Sequence, residues 1–277
     1  MLLLGREYIA GAENYRFGIN GQERDDEIYG NGNSYTAEFW QYDPRLMRRW
    51  NVDPKPNPSF SVYSTFQCNP ILNSDVLGDT IVVDKKGYIT RNDKTDNLVF
   101  TMQKGKYTQI GEVGKSIDID IIYTNLLKVN IKKARSMTRL DFYNKVKGGG
   151  DWDLKNNEST IYGLAYKYQK QNITGKTTFL FEEKEMSAPD VGNYHFGVVG
   201  LANDKFSETT LLKQAGQAQI NSDKSKPEWQ PTYTYNVRTA DGIQQRTEML
   251  PPYGDDPEDQ KMIKEGFEFY KNVTSGK

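Results

Sequence analysis

The sequence predicts a mixed α+β fold, in which a small β element precedes a mainly helical domain that carries a short hairpin or sheet. Three patterns support this fold class. Apolar runs at residues 80–90 and 97–102 have the composition and length of short strands. Apolar residues recur at helical spacing between residues 117 and 146 and again in the last third of the chain. Clusters of glycine and polar residues separate these segments, as expected for turns.

The first helical pattern covers about residues 117–146, as one long helix or a broken pair. The glycines at 148–150 end it, because glycine readily adopts the left-handed conformation that closes a helix. Two further runs, at 161–169 and 177–182, are predicted to be strands on either side of a turn.

Three helices are predicted in the remainder, at residues 191–202, 207–220 and 257–272, with a polar loop at 221–253. The last helix has the clearest start. Asp256 is a suitable N-cap, and Pro257 fits the first helical position. Gly266 lies on the apolar side of this helix, so close packing against a neighbour is expected there.

The composition limits where such a chain can act. The 277 residues have a mean hydropathy of −0.77 and a formal net charge of −1. No apolar run approaches the ~20 residues of a membrane span, and the apolar block at residues 1–4 is too short for a signal peptide. We therefore expect synthesis in the cytoplasm without a signal peptide, and no membrane insertion. The single cysteine, Cys68, excludes an internal disulfide and a cysteine-rich zinc site.

The charge changes near residue 79. Residues 1–79 hold 7 Lys and Arg against 11 Asp and Glu, whereas residues 80–277 hold 29 against 26. Within residues 104–147 there are 10 basic and four acidic residues. This excess could contact a polyanion, or it could be the solvated side of a helix, and the sequence leaves both interpretations open.

The only histidine, His195, is the first catalytic candidate. Near neutral pH imidazole can both accept and donate a proton, which suits a general base. On a helix, Asn193, Gly197 and Gly200 would share one face and His195 would point elsewhere. The alternative is a core histidine that is hydrogen-bonded within the fold.

The second candidate segment is GGGDWDLK at residues 148–155. In an extended conformation Asp151, Asp153 and Lys155 would share one side, with Trp152 on the other. Two carboxylates beside an ammonium can shift each other's pKa values. The alternative is a surface Asp–Lys pair, with Trp152 as an anchor in the core.

The first part of the chain contains YRFGINGQERDDEI (15–28), YDPRLMRRWNVDP (42–54) and NPILNSDVLGD (69–79). Together these motifs resemble the end of the Rhs/YD-repeat core of Bacteroidota-type proteins. The resemblance implies a delivery-shell remnant and junction at residues 1–79 and an exchangeable C-terminal toxin at 80–277. Of the two Asp-Pro elements used for self-cleavage in the family, Asp53 and Pro54 keep the first, whereas residues 75–78 lack the proline of the second.

Four collinear motifs follow: GGxWDxK (149–155), DxGNxHFGxxG (190–200), FSExTLLKQAGxAQ (206–219) and DDPxDQxxIxxG (255–266). They resemble the bacterial polymorphic toxin type 44 domain and cover about residues 145–272. The positions that match the family are Gly149, Gly150, Trp152, Asp153, Lys155, Asn193, His195, Gly197, Gly216, Gln219, Asp255 and Asp256. Family members often have a proline before the tryptophan and a histidine before the lysine, where this chain has Asp151 and Leu154.

The resemblance implies an interbacterial effector, and three functions stay open. The first is a metal-independent ribonuclease, with His195 as base, Lys155 stabilising charge, and Asp153 orienting the histidine or acting as acid. The second is a peptidoglycan glycan-strand hydrolase that acts in the target periplasm through two carboxylates, for which Asp151, Asp153, Glu158 and Asp190 are available. The third is an inactive cassette that only binds an immunity protein.

We expect neither a cofactor nor a metal. The expected catalytic residues are His195, Asp153, Lys155 and Asp190, and the expected substrate-binding residues are Trp152, Asn193, Gln219 and Asp151. Expected partners are RNA or peptidoglycan as substrate, a cognate immunity protein, and the Rhs or secretion machinery that delivers the effector into a neighbouring cell.

Overall fold

The computed structural model describes residues 23–30, 33–37, 40–52, 61–64, 81–92, 97–103, 106–240 and 242–275. Contacts divide the chain into two compact units. The first comprises residues 1–82 and 90–100, and the second comprises residues 83–89 and 101–277. Both helices and sheets are present, which confirms the predicted α+β class.

The first unit contains an antiparallel sheet in the order β1-β2-β3-β4. Its elements are β1 (Glu23–Arg24), α1 (Asp26–Tyr29), β2 (Tyr35–Ala37), β3 (Trp40–Asp43) and β4 (Arg48–Arg49). The turn after β3 is held by the buried Asp43 carboxylate, which accepts hydrogen bonds from the Arg45 side chain at 2.8 and 3.1 Å. These hydrogen bonds hold the pKa of Asp43 below its usual value.

The remaining parts of the Rhs-like motifs lie largely outside the described residues. Asp53, Pro54 and the whole segment 69–79 are among them. The Rhs resemblance and the boundary at residue 79 therefore stay predictions.

The larger sheet has the order β11-β10-β9-β8-β7-β5-β6. Its strands are β5 (Ile81–Val83), β6 (Ile89–Asn92), β7 (Leu98–Gln103), β8 (Lys106–Glu112), β9 (Ser116–Asp118), β10 (Thr178–Phe181) and β11 (Lys184–Met186). Strands β9 and β10 pair in parallel, and β10 and β11 form an antiparallel hairpin. The strands predicted at 80–90, 97–102 and 177–182 are confirmed, with a turn at residues 84–88 that divides the first.

The helices of the second unit are α2 (Asp120–Ser136), α3 (Arg139–Val146), α4 (Ile161–Lys170), α5 (Ala188–Ala202), α6 (Glu208–Asn221) and α7 (Pro257–Thr274). The pattern at 117–146 is thus a broken pair, and Thr138 caps the second helix by accepting a hydrogen bond from the Asp141 amide. The three helices predicted in the last third are confirmed as α5, α6 and α7.

Two local predictions are wrong. Residues 161–169 form helix α4 rather than a strand. The Thr160 hydroxyl caps this helix by accepting a hydrogen bond from the Gly163 amide, and the buried residues Ile161, Leu164 and Ala165 follow helical spacing. The polar segment 221–253 contains an exposed antiparallel hairpin, β12 (Thr232–Thr239) and β13 (Gly242–Met249), rather than only a loop. Tyr233, Tyr235 and Val237 alternate along β12, but the residues that pair with them on β13 are polar, so only one of the two strands carries a strand pattern.

Helix α5 lies at the centre of the second unit and packs against α2 and α7. Tyr123 of α2 connects this core to the sheet, since its hydroxyl donates to the Val191 carbonyl at 2.7 Å and its ring meets Phe181 edge-on. None of the helices that the structure describes combines the length and apolar character needed to cross a bilayer.

Candidate functional site

Helix α5 begins with a capping box that fixes Asp190. The Ser187 hydroxyl accepts from the Asp190 amide, and the Asp190 carboxylate accepts from the Ser187 amide and hydroxyl at 2.7 and 2.6 Å. Because both groups are paired within one turn, the carboxylate of Asp190 is held at the start of the helix.

Two glycines bring α5 and α7 into backbone contact. A Cβ atom on Gly197 would lie 2.1 Å from the Ile263 carbonyl oxygen, and one on Gly266 would lie 2.3 Å from the Tyr194 carbonyl oxygen. No side chain fits at either position. The close approach expected from the sequence is therefore present, and it brings Asn193, one turn before Gly197, beside Asp259 at the start of α7.

His195 points to the opposite side and lies in the core. Its ring is 0% exposed, its Nε2 is 2.9 Å from Asn130 Nδ2, and its Nδ1 has no hydrogen-bond partner. Burial lowers the pKa of His195 to about 3. The ring is therefore neutral near pH 7, and no solvent reaches it in this conformation.

The segment at 148–155 is a series of turns, not the extended stretch that the alternation predicted. Trp152 is 6% exposed and packs edge-on against Phe142 and His195. Asp151 is exposed and pairs with Lys145. Asp153 closes the turn by accepting from the Gly149 amide at 2.9 Å and the Asn156 side chain at 2.7 Å.

Asp151, Trp152 and Asp153, which were predicted as site residues, therefore stabilise the local turns and the core. The structure does not place Asp153 beside His195. Gln219 lies near the end of α6, where its carbonyl oxygen accepts from Ser222 and Lys224 in the turn that ends the helix.

Lys155 instead belongs to a group of carboxyl residues. Its charge lowers the pKa of both Asp255 and Asp259, and the charge of Asp190 raises the pKa of Asp259. We call Lys155, Asp190, Asn193, Asp255, Asp256 and Asp259 the carboxyl cluster. It joins the turn before α4, the first turns of α5, and the start of α7.

Asp255 is the most perturbed member of the carboxyl cluster. It is 3% exposed, its Oδ1 accepts from the Asp256 amide at 3.1 Å, and its buried Oδ2 has no hydrogen-bond partner among the residues that the structure describes. Burial, followed by the charge of Asp259, raises the pKa of Asp255 to about 7. A carboxyl group with this pKa can hold a proton at neutral pH and deliver it from Oδ2.

Asp259 is also raised in pKa, chiefly by burial, while Lys155 and then Asn193 act in the opposite direction. Asn193 lies beside this carboxyl, although its Nδ2 makes no hydrogen bond of good geometry. Asp256 has the capping role expected from the sequence, since its side chain accepts from the Glu258 amide at 3.0 Å.

The loop before α7 is held from two sides. A Cβ atom on Gly216 of α6 would lie 2.0 Å from the Tyr253 carbonyl oxygen. The buried Gln260 side chain donates to the carbonyl oxygens of Pro252 at 2.7 Å and Leu212 at 3.3 Å. The third and fourth motifs thus meet at this loop and fix the position of Asp255.

Within the described residues, no group of three or more His, Cys, Asp or Glu side chains is arranged to hold a metal ion. A cavity of about 510 Å³ lies along α7, but none of the clustered carboxylates lines it.

The four collinear motifs therefore converge in three dimensions, and the comparison with known families agrees with them. Residues 141–272 match the family model Bacterial toxin 44. This part of the chain is therefore similar to the bacterial toxin domains of that family. No curated protein and no solved structure matches the chain.

The sequence predicted only helix-start roles for Asp255, as a cap, and for Asp259, beside the positive end of the helix dipole. The signal for another role was present in the fourth motif, DDPxDQ, which contains three aspartates within five positions. Only Asp256 is needed for the cap, so the other two were available for another role.

Proposed function

We propose that the toxin domain is a hydrolase of peptidoglycan glycan strands, in which the carboxyl cluster carries out acid–base chemistry. The observation that carries this proposal is the convergence of carboxyl groups from two separate motifs, at 190–200 and 255–266, around Lys155 of a third motif. Glycoside hydrolases commonly use two carboxyl groups, one protonated and one ionised.

In this proposal Asp255 is the general acid. Its buried Oδ2 has no partner within the described residues, so no other group in that part of the chain competes for a proton on it. The raised pKa of Asp255, about 7, supports this role.

Asp259 is the second carboxyl group, acting as base or nucleophile. Lys155 and Asn193 both favour its ionised form. Asp190, fixed by Ser187, adds a further negative charge that suits the cationic character of a glycosidic transition state.

The ribonuclease hypothesis receives less support. A general base must hold a proton well near neutral pH, whereas burial against Asn130 and Trp152 lowers the pKa of His195 to about 3, so its imidazole is a weak base. The toxin domain also has 16 Lys and Arg against 20 Asp and Glu between residues 141 and 272, which does not favour a polyanion.

A cognate immunity protein and a delivery system follow from the same proposal. The family match supports the immunity protein, since a bacterial toxin endangers the cell that makes it. Delivery through an Rhs-type shell rests on the resemblance of residues 1–79 to the Rhs core. The proposed substrate places the action of the toxin in the periplasm of a neighbouring cell.

The test compares two substrates. The full chain is incubated in EDTA with purified sacculi and, separately, with total RNA. We expect soluble muropeptides with new reducing ends and intact RNA. Degraded RNA with 2′,3′-cyclic phosphate ends beside intact sacculi would contradict the proposal, as would release of peptides without new reducing ends.

A further inference from the structure

A second cavity lies next to the carboxyl cluster and shares Lys155 with it. Its volume is about 200 Å³, and it is lined by the turn at residues 155–158 and by one face of α4. Gly163, Tyr166, Lys167 and Lys170 are spaced three to four residues apart, so they form that face. We call this cavity the basic pocket.

Close packing fixes the floor of the basic pocket. A Cβ atom on Gly163 would lie 2.2 Å from the Asn157 carbonyl oxygen, so the bare helix backbone rests on the turn that carries Lys155. The Asn157 side chain in turn donates to the Asp151 carbonyl at 3.0 Å. The pocket is therefore part of a packed structure rather than a gap between mobile side chains.

The charge of the basic pocket is opposite to that of the surrounding domain. Lys155, Lys167 and Lys170 line it together with a single acid, Glu158. Glu158 pairs with Lys167 at 2.6 Å, and Lys170 Nζ lies 5.3 Å from the centre of the Tyr166 ring. A net positive pocket in a domain with more acidic than basic residues indicates a site for an anionic group.

We propose that the basic pocket is a substrate subsite that binds a carboxylate of the glycan strand's stem peptide while the adjoining sugar lies at the carboxyl cluster. This ligand class rests on the proposed function. Lys155 links the two sites, because it lines the pocket and also acts on the pKa values of Asp255 and Asp259. Tyr166 offers an aromatic surface beside the charged groups.

Glu158 has a defined part in this subsite. Its carboxylate is ion-paired with the Lys167 ammonium in the free protein, so a substrate carboxylate must compete with Glu158 for Lys167. Removal of the Glu158 charge should therefore strengthen binding, whereas reversal of the Lys170 charge should weaken it. The opposite signs separate a binding site from a general effect on folding.

Binding is measured on the full chain carrying Asp255→Asn, which blocks cleavage. The probes are soluble glycan strands with free stem-peptide carboxylates, and the same strands after amidation of those carboxylates. We expect Lys170→Glu to raise the Kd for the free-carboxylate strand about tenfold, the size of one charge-assisted hydrogen bond. Glu158→Gln should lower that Kd, and Lys132→Glu, on the exposed side of α2, should leave it unchanged.

The amidated strand should bind the Asp255→Asn chain and its three further variants, Lys170→Glu, Glu158→Gln and Lys132→Glu, with the same, weaker affinity. Equal Kd values for the free-carboxylate strand across the variants would overturn the inference, and so would a change by Lys170→Glu of equal size for both strands. Digestion of sacculi by the wild-type chain tests the proposed function separately. Carboxylate-dependent binding without digestion would refute the hydrolase and leave the subsite standing.

Discussion

His195 and Asn193 lie two positions apart on α5, and this separation directs their side chains to different environments. Asn193 faces α7 and the carboxyl cluster, whereas His195 faces α2 and lies buried beside Asn130 and Trp152. A fully buried imidazole contributes mainly to packing and to one hydrogen bond.

His195→Ala should therefore lower the free energy of unfolding by about 2–4 kcal/mol, from the lost ring volume and the unpaired Asn130 amide. Urea denaturation measures this change. Toxicity should fall only as far as the folded fraction falls. Complete loss of toxicity with an unchanged unfolding midpoint would instead assign His195 to catalysis.

The pKa of Asp255 makes stability depend on pH in a defined direction. Its pKa rises from 3.8 in a free chain to about 7 in the fold, so the folded state binds more protons between these values. The free energy of unfolding contributed by Asp255 therefore decreases as the pH rises from about 4 to 7. Asparagine does not titrate and removes this dependence.

Asp255→Asn should have about the stability of the wild type at pH 4 and exceed it by about 1–3 kcal/mol at pH 8. Urea denaturation of both proteins across this range measures the difference. A difference that is constant with pH would show that Asp255 has an ordinary pKa.

At the scale of elements, the contact between α5 and α7 determines the geometry of the carboxyl cluster. The helices approach until Gly197 meets the backbone at Ile263 and Gly266 meets Tyr194. This close approach places Asn193 beside Asp259 and carries Asp255 and Asp256 on the loop that starts α7.

Gly197→Ala should reduce stability by about 3 kcal/mol, because the new methyl group overlaps the Ile263 carbonyl and the helices must separate. Gly192→Ala is the matched control in the same helix, since its Cβ would meet nothing closer than the Lys155 amide at 4.0 Å. Alanine there should be neutral or stabilising by about 1 kcal/mol. Equal thermal midpoints for both variants would contradict the packing account.

The elements also show what the sequence could predict. The capping residues Thr138, Ser187 and Asp256 each act within one helical turn, which is a local feature, so the helices α3, α5 and α7 were predictable. The aromatic residues of α4 favour a strand by their propensity. The Thr160 cap and the burial of the apolar residues stabilise a helix there instead. In the hairpin β12–β13, Tyr233, Tyr235 and Val237 alternate along β12 but pair with polar residues of β13, so the periodic signal was confined to one strand.

The site was only partly predictable for a related reason. Lys155, Asp190 and Asn193 were named from the motifs, and they lie together in the carboxyl cluster. The burial of Asp255 depends on Gly216 and Gln260, and the burial of His195 depends on Asn130, 65 positions earlier in the chain. Such environments arise only from tertiary packing, which motif spacing does not describe.

At the scale of the whole molecule, residues 141–272 match the bacterial toxin 44 family model, and the charge balance of residues 1–79 differs from that of residues 80–277. If residues 80–277 fold independently, limited proteolysis should cut near residues 77–80 and leave a resistant fragment. Circular dichroism of that fragment should show the helical signal expected from α2 to α7. A fragment that is unfolded while the full chain is folded would refute the two-part organisation.

The central claim is that Asp255 delivers the proton for glycan cleavage, and the most direct measurement is muropeptide release from sacculi by the Asp255→Asn chain. Asparagine keeps the shape of the side chain but cannot donate the acidic proton, so the rate should fall at least about 100-fold. Asp151→Asn, an exposed carboxyl paired with Lys145, is the control and should retain the wild-type rate. An Asp255→Asn chain that releases muropeptides as fast as the wild type would contradict the account.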